Sequence, residues 1–262
     1  MQIQTEFSRL EDKYFLSLSQ YADLKDLAQK HLQNASPIPQ TEYTLVQSTY
    51  FDDMNLNCLV EYLEQVPTRS KLRIRKYGPN GNWDNSNLYV ELKEKKVGIS
   101  EKCRIKCSPE DFEGGREKDK GLILSQDILN SVNFTNKRKE STKKKIEKIS
   151  SFIEQKQPVP VTHVVYSREA YEQQNFRVTF DRNIGVTKAT FFDNLNKDSI
   201  LKNKFKMEAL SEIKTKINSE TIILELKHNN QIPSWIEDYI KDKKIEKSSF
   251  SKYSYSIATS IL

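Results

Sequence analysis

Basic side chains occupy every second position of one short segment, RSKLRIR at 69–75. In a β-strand, residues two apart point to the same face of the sheet. The four basic residues would therefore share one face, and Leu72 and Ile74 would be buried on the other. Such a dense cationic face needs either water or a strongly negative partner. Guanidinium groups bind phosphate oxygens in a bidentate geometry, whereas lysine supplies a point charge.

The same pattern returns in other segments, some of which are separated by more than 100 residues. The residues that share a face in these segments are Glu11 and Lys13; Glu91 and Lys93; Lys102 and Arg104; Tyr166 and Arg168; Arg177, Thr179 and Asp181; and Glu225 and Lys227. An antiparallel sheet with one solvated face also shows such alternation. Arg and Lys dominate these faces, however, which favours a binding surface. If the sheet closes into a barrel, the cations converge on its lumen, where a polyanion would neutralise them.

Three carboxylates, Glu11, Glu91 and Glu225, fall on the same faces as these cations. Carboxylate oxygens are suitable ligands for Mg²⁺ and Mn²⁺. They are equally suitable as counter-ions for neighbouring Arg and Lys side chains. The pattern leaves both roles open, with Glu225 and Glu11 as the candidate metal ligands.

The elements that must position these residues are mostly strands. Strand patterns cover 6–16, 42–52, 68–77, 87–97, 99–107, 160–172, 175–182 and 219–228, with a further one near 186–193, and helical patterns cover 20–34 (capped by Ser19), 55–65, 233–241 and 250–260. Strands and helices do not alternate regularly, as they would in βαβ units. We therefore predict an α+β fold in which an antiparallel β-barrel is flanked by helices. Residues 1–262 would form a single domain with a mainly helical insertion at about 109–157.

Composition narrows the class of protein further. The net charge is +6, with 42 basic and 36 acidic residues, so an anionic partner is plausible. Cys103 and Cys107 would share a strand face about 13 Å apart, which is too far for a disulfide. With Cys58 they make an odd count without a CxxC motif, which favours reduced thiols and a cytoplasmic protein. The chain shows neither a secretory signal nor an apolar stretch of about 20 residues that could span a membrane.

Two other groups of residues carry weaker signals. The three histidines, His31, His163 and His228, are scattered, and we interpret them as structural or surface residues. The lysine-rich segment 137–148 has two interpretations, a solvated helix face or an outer track for an emerging polyanion. The basic surface lacks the aromatic–basic motif of RNA-binding modules, so we expect no specific nucleic-acid partner.

Six short motifs, in their order along the chain, resemble the VTC domain. They are YFD at 50–52, LRIRKYG at 72–78, ELK at 91–93, YSR at 166–168, LELK at 224–227 and FSKY at 250–253. The VTC domain is the polyphosphate polymerase domain of the vacuolar transporter chaperone complex, within the triphosphate tunnel metalloenzymes. The similarity spans about residues 5–258. It implies a tunnel-forming antiparallel barrel that transfers the γ-phosphate of ATP to a growing inorganic polyphosphate chain, with Mn²⁺ or Mg²⁺ as cofactor.

The resemblance also implies a role for individual residues. Arg73, Arg75, Lys93 and Arg168 would hold the triphosphate, and Glu225 would hold the metal. The remaining substrate-binding residues would be Lys13, Lys102 or Arg104, Tyr166, Arg177, Lys227, Ser251 and Lys252. Larger members of the family carry an SPX domain and membrane helices, which this sequence lacks. The resemblance leaves open whether a membrane partner protein accompanies this chain.

One departure from the wider superfamily bears on the reaction. Hydrolytic members such as the CYTH enzymes carry ExExK on the first strand, whereas this chain has LEDKY at 10–14, with one lumen-facing glutamate before the lysine. Fewer carboxylates position a metal-activated water less well, which disfavours hydrolysis. Two alternatives to the polymerase stay open: a metal-dependent triphosphatase acting on tripolyphosphate or an organic triphosphate, and a non-catalytic protein that binds polyphosphate or nucleotides.

Overall fold

A computed structural model describes residues 10–35, 42–84, 86–96, 99–107 and 139–262. Its strands are β1 Leu10–Leu16, β2 Gln33–Asn34, β3 Thr44–Asp52, β4 Arg69–Pro79, β5 Leu88–Lys96, β6 Ile99–Cys107, β7 Val159–Gln173, β8 Phe176–Lys188 and β9 Ile222–His228. They form one antiparallel sheet in the order β1-β9-β8-β7-β3-β4-β5-β6, and β2 pairs with β7 outside this path. Eight of the nine predicted strands are therefore present, and their pairing is antiparallel as expected.

The sheet curls into a half-barrel. Its edge strands β1 and β6 lie at the two ends of the strand order, and no ladder joins them within the described ranges. The curl nevertheless brings β5 close to β1, since the Lys93 ammonium lies 3.4 Å from a Glu11 carboxylate oxygen. The predicted α+β class with a barrel-like antiparallel sheet is thus confirmed.

Seven helices surround this sheet in the part of the chain that the structure describes. They are α1 Leu18–His31, α2 Asn57–Leu63, α3 Lys139–Lys156, α4 Asp198–Leu201, α5 Lys204–Thr215, α6 Ser234–Asp242 and α7 Lys252–Ile261. Helices α1 and α6 pack against the convex face of β8 and β9 through Leu24, Ile236 and Leu224. Helix α3 packs near β6. Among the described residues, none of the helices has the length and apolarity needed to cross a bilayer.

The start of α1 differs from the prediction. The N-cap is Ser17 rather than Ser19, because Gln20 stands three residues after Ser17 and completes a capping box. The Gln20 side-chain oxygen accepts from the Ser17 amide at 2.9 Å, and the Ser17 hydroxyl accepts from the Gln20 amide at 3.3 Å. The helix therefore begins two residues earlier than expected.

The separate strand predicted near 186–193 is wrong. Strand β8 continues to Lys188 through an irregularity in its pairing with β7, where Val165 pairs with Gly185 and Ser167 pairs with Arg182. Asn183 lies in this irregularity with φ of 56°. Asparagine tolerates this left-handed conformation better than most residues, so the strand bends here without ending. A 3₁₀ turn follows at Phe192–Asn194.

The predicted insertion at 109–157 is described only in part. Residues 109–138 lie outside the described ranges, so the boundaries of the insertion stay a prediction. Helix α3 covers most of the remainder. Its Lys148 pairs with Glu94 at 2.5 Å and with Glu101, both on the sheet, so this lysine anchors the helix. Cys58 and Cys103 are free thiols.

Candidate active site

The antiparallel register brings the predicted basic residues onto the concave face of the half-barrel. Arg73 pairs with Glu91 and Glu91 with Arg104, and Arg168 pairs with Asp181. Residues directly opposite in a ladder share a face. The basic residues of neighbouring strands therefore lie on the same face of the sheet. We call the following set the basic wall: Lys13, Lys71, Arg73, Arg75, Lys93, Lys102, Arg104, Arg168 and Lys227 from strands, with Lys252 from α7.

Glu91 organises one part of the basic wall. Its Oε2 lies 2.7 Å from both Nε and Nη2 of Arg73, and its Oε1 lies 2.7 Å from Lys102 Nζ and 2.6 Å from Arg104 Nε. Burial opposes ionisation of this carboxyl, but the surrounding cations hold its pKa well below the usual range. Glu91 is therefore a counter-ion that fixes the cations in place. Lys102 and Arg104, which the sequence offered as alternatives, both reach it.

Arg75 is nearly buried beside this cluster. Its Nε donates to Ser48 at 3.1 Å, and its Nη2 donates to the Tyr166 hydroxyl at 3.1 Å. Arg73 also donates to the Tyr50 hydroxyl, at 3.3 Å. Because neutral hydroxyl groups take up several of these donors, the guanidinium charges are only partly compensated by carboxylate.

A second ion cluster joins the C-terminal helix to the sheet. Asp181 is fully buried and accepts from Arg168 at 2.5 and 2.6 Å. Lys252 lies 2.6 Å from Asp181 and 3.1 Å from Glu225, and Arg168 lies 3.3 Å from Glu225. Burial raises the pKa of Glu225, but Lys252 and Arg168 outweigh it and hold that pKa well below its usual range. Asp181 is a member of this cluster that the sequence placed on the right face without giving it a role.

Glu11 and Glu225 are the carboxylates that suit a divalent metal. Lys227 Nζ lies 3.8 Å from Glu11 and 3.9 Å from Glu225, so one cation already sits between them. Although burial and Glu225 raise the pKa of Glu11, Lys13, Lys93 and Lys227 lower it to about 2. The described residues contain no group of three or more potential metal ligands. One or two carboxylates completed by substrate phosphates are nevertheless a usual Mg²⁺ site, and the two glutamates fit that arrangement.

Lys71 is the residue that the sequence analysis left without a role. It faces Lys93, which faces Lys102, so three lysines lie directly opposite one another across β4, β5 and β6. Like charges in this arrangement destabilise a sheet. Lys71 donates to the Ser251 hydroxyl at 2.7 Å and lies 4.2 Å from the Tyr62 ring centroid, and it forms no ion pair with a described carboxylate. Burial and nearby cations lower the pKa of Lys71 well below its usual value.

Replacing Lys71 by methionine should weaken binding of inorganic tripolyphosphate and raise thermal stability. Neighbouring cations repel the ammonium group in the free protein, whereas a bound anion attracts it, so its removal should have opposite effects on the two properties. We expect a loss in affinity of about tenfold, as for one charge-assisted contact. Calorimetric titration and a melting curve measure the two effects. The control Lys76→Met, on the opposite face of β4, should leave binding unchanged; a destabilised Lys71→Met protein would contradict the interpretation.

The remaining predicted residues lie around this centre. Lys13 lies 3.1 Å from Glu11 and donates to the Phe250 carbonyl at 3.1 Å. Ser251 caps α7 and so places Lys252. Arg177 faces Lys227 across the β8–β9 ladder and lies 3.2 Å from Glu172, at the periphery of the wall. The roles assigned to all of these residues stay predictions.

The histidines contact groups away from the basic wall. His31 stacks on Trp235 with ring centroids 5.0 Å apart, and His163 Nδ1 lies 2.9 Å from the Thr49 hydroxyl. His228 lies 3.2 Å from Asp12. These contacts agree with the structural interpretation and give none of the three a place among the cations.

The site and fold together define a protein with a curved antiparallel sheet whose concave face is lined by cations. A family model described as the VTC domain matches residues 8–261. The chain therefore belongs to the VTC domain family. No curated protein sequence matches the chain.

Solved structures from several organisms align with this chain over most of its length. A candidate adenylate cyclase from Vibrio parahaemolyticus is 11% identical, with 98% of this chain and 99% of that chain covered and a TM-score of 0.42. A candidate adenylate cyclase from Bacillus halodurans is 13% identical, with coverage of 93% and 95% and a TM-score of 0.44. A conserved hypothetical protein from Pyrococcus furiosus is 12% identical, with coverage of 91% and 95% and a TM-score of 0.37.

Proposed function

We propose that the chain is an ATP-dependent polyphosphate polymerase, which transfers the γ-phosphate of ATP to a growing polyphosphate chain held along the basic wall. The observation that carries the proposal is the facing row of Lys71, Lys93 and Lys102 next to the row that contains Arg73 and Arg104. Basic side chains outnumber carboxylates across this surface. A linear polyanion would neutralise successive rows at once, and membership of the VTC family supports the same ligand class.

The proposed chemistry depends on alignment and charge neutralisation. An attacking phosphate oxygen is already anionic near neutral pH, so it needs no general base. Arg73 and Arg75 would hold the transferred phosphoryl group, and ion pairs with Glu91 fix the cations around it before substrate arrives. Glu225 and Glu11 would hold a divalent metal, which supplies further neutralisation of the triphosphate charge when bound.

A triphosphatase is the second candidate, favoured by the proximity of Glu11 and Glu225. The same two carboxylates that would bind a metal could serve a metal-activated water. Both carboxylates already form ion pairs. Glu11 pairs with Lys13, Lys93 and Lys227, and Glu225 pairs with Arg168 and Lys252. Neither glutamate is therefore available as a general base without separation from a cation, which favours transfer to phosphate over transfer to water.

Incubation with ATP and Mn²⁺ or Mg²⁺ tests the proposal. Long polyphosphate on a gel, together with release of ADP, is the expected product. Free phosphate alone would support the triphosphatase, and the absence of any turnover would support a binding protein. The variant Glu225→Gln keeps the size of the side chain but removes its charge, and we expect it to lose metal-dependent turnover. If that variant retained full turnover, the metal assignment would be wrong.

A further inference from the structure

Aromatic side chains continue the basic wall toward the β4–β5 hairpin. Side chains on the concave face of β4, β5 and β6 fall into rows of Lys71, Lys93 and Lys102, then Arg73, Glu91 and Arg104, then Arg75, Tyr89 and Lys106. Successive rows are two residues apart, which is about 7 Å along the strands. Tyr77 follows Arg75 on the same face. At this end the surface therefore presents aromatic rings as well as cations.

Tyr89, Tyr77 and Arg104 form a platform at that end. The two tyrosine rings meet edge to face, with centroids 5.4 Å apart and an interplanar angle of 71°. The Arg104 guanidinium carbon lies 4.3 Å from the Tyr89 centroid and 5.5 Å from the Tyr77 centroid, and Nη2 donates to the Tyr77 hydroxyl. The other edge of the guanidinium is held by Glu91. The Arg104 side chain is still 37% exposed, so part of this fixed planar group is accessible.

We propose that this platform stacks the base of a nucleoside triphosphate whose phosphates lie on the two cationic rows. Bases stack on aromatic rings and on guanidinium planes. The Tyr89 ring of the platform lies one row beyond Arg73 and Glu91, so a single extended ligand can contact the ring and the two cationic rows. The inference rests on the proposed function, because it assigns a base subsite to the same substrate.

The chemistry of the platform favours a base over a further phosphate. A phosphate gains nothing from a tyrosine ring, whereas a purine has a large π-surface. The subsite should therefore prefer purines to pyrimidines by stacking area.

Titration of the variant Tyr89→Leu tests this assignment. The probes are a non-hydrolysable ATP analogue, the matching UTP analogue and inorganic tripolyphosphate, each with Mg²⁺. We expect Tyr89→Leu to weaken binding of the ATP analogue by about tenfold and to leave tripolyphosphate binding unchanged. The preference of the unmodified protein for the purine over the pyrimidine analogue should disappear in the variant.

Two control variants separate stacking from general damage. Tyr89→Phe keeps the ring and should bind all three probes as the unmodified protein does. Tyr239→Leu changes a tyrosine on α6, whose hydroxyl donates to Asp23 at 2.8 Å, and should also leave binding unchanged. If Tyr89→Leu weakens the ATP analogue and tripolyphosphate by the same factor, or weakens neither, the base subsite is wrong and the proposed function stands. If the unmodified protein binds none of the probes, both fail.

Discussion

Replacing Arg73 by alanine should reduce phosphate transfer by about a thousandfold while the protein stays folded. Arg73 directs two nitrogens at Glu91 and a third at Tyr50, so its guanidinium is held rigidly at the centre of the basic wall. A transferred phosphoryl group develops charge on its oxygens, which a fixed guanidinium stabilises without reorganisation. The fold should persist because Glu91 keeps Lys102 and Arg104 as partners.

A charge-conserving variant sharpens this test. Arg73→Lys retains a cation but loses the planar fork, so it should recover only part of the activity. Lys76→Ala removes a cation from the opposite face of the same strand, where it lies 4.7 Å from the Trp83 ring centroid, and should leave turnover unchanged. Rates of polyphosphate synthesis and melting temperatures measure both properties. An Arg73→Ala protein that is folded and fully active would remove Arg73 from the mechanism.

The residues of the concave face could be predicted from the sequence, because the alternation of side chains between the two faces of a strand is a local property. Arg73, Glu91 and Arg104 each alternate with apolar neighbours, so each strand alone shows which side chains share a face. In antiparallel pairs, residues directly opposite each other point to the same face, so the basic faces of neighbouring strands join into one surface. Residues as distant as Lys13 and Arg168 can therefore be assigned to one surface from the sequence alone.

Partners within the site could not be predicted, because they depend on how the sheet curls. The Lys93–Glu11 contact joins β5 to β1, which are far apart in the strand order. Asp181 becomes a partner of Lys252 only when α7 packs against β8. Nothing in the spacing of Lys71 distinguishes a lysine without a carboxylate partner from one that has several.

Two elements were missed for a different reason. Helices α4 and α5 lie over 198–215, and few of their side chains are buried. Ile200 and Leu210 are fully buried, whereas Phe205 is 65% exposed, so the apolar pattern on which a helix prediction depends is broken. Asn203 is the N-cap of α5, and its side-chain oxygen accepts a hydrogen bond from the Lys206 amide at 3.1 Å.

Replacing Lys252 by methionine should destabilise the protein by about 3–5 kcal/mol as well as abolish turnover. Lys252 is 7% exposed and lies between Asp181 and Glu225. Methionine has a similar length, so the packing of α7 is largely conserved. The two carboxylates would be left with Arg168 as their nearest cation, and buried charges without compensation are costly. Urea denaturation at pH 7 measures the loss.

The dependence of this loss on pH identifies its cause. In the unmodified protein, burial opposes ionisation of Asp181, but Arg168 and Lys252 keep its pKa below the usual range, so these ion pairs stabilise the fold above about pH 4 and are lost as pH falls. Without Lys252 the pKa of both carboxyls should rise. The deficit of Lys252→Met should therefore be greatest at pH 7 and shrink toward pH 4, whereas a packing defect would be independent of pH. Lys241→Met, which removes an exposed helix ion pair with Glu237, should leave stability almost unchanged at either pH.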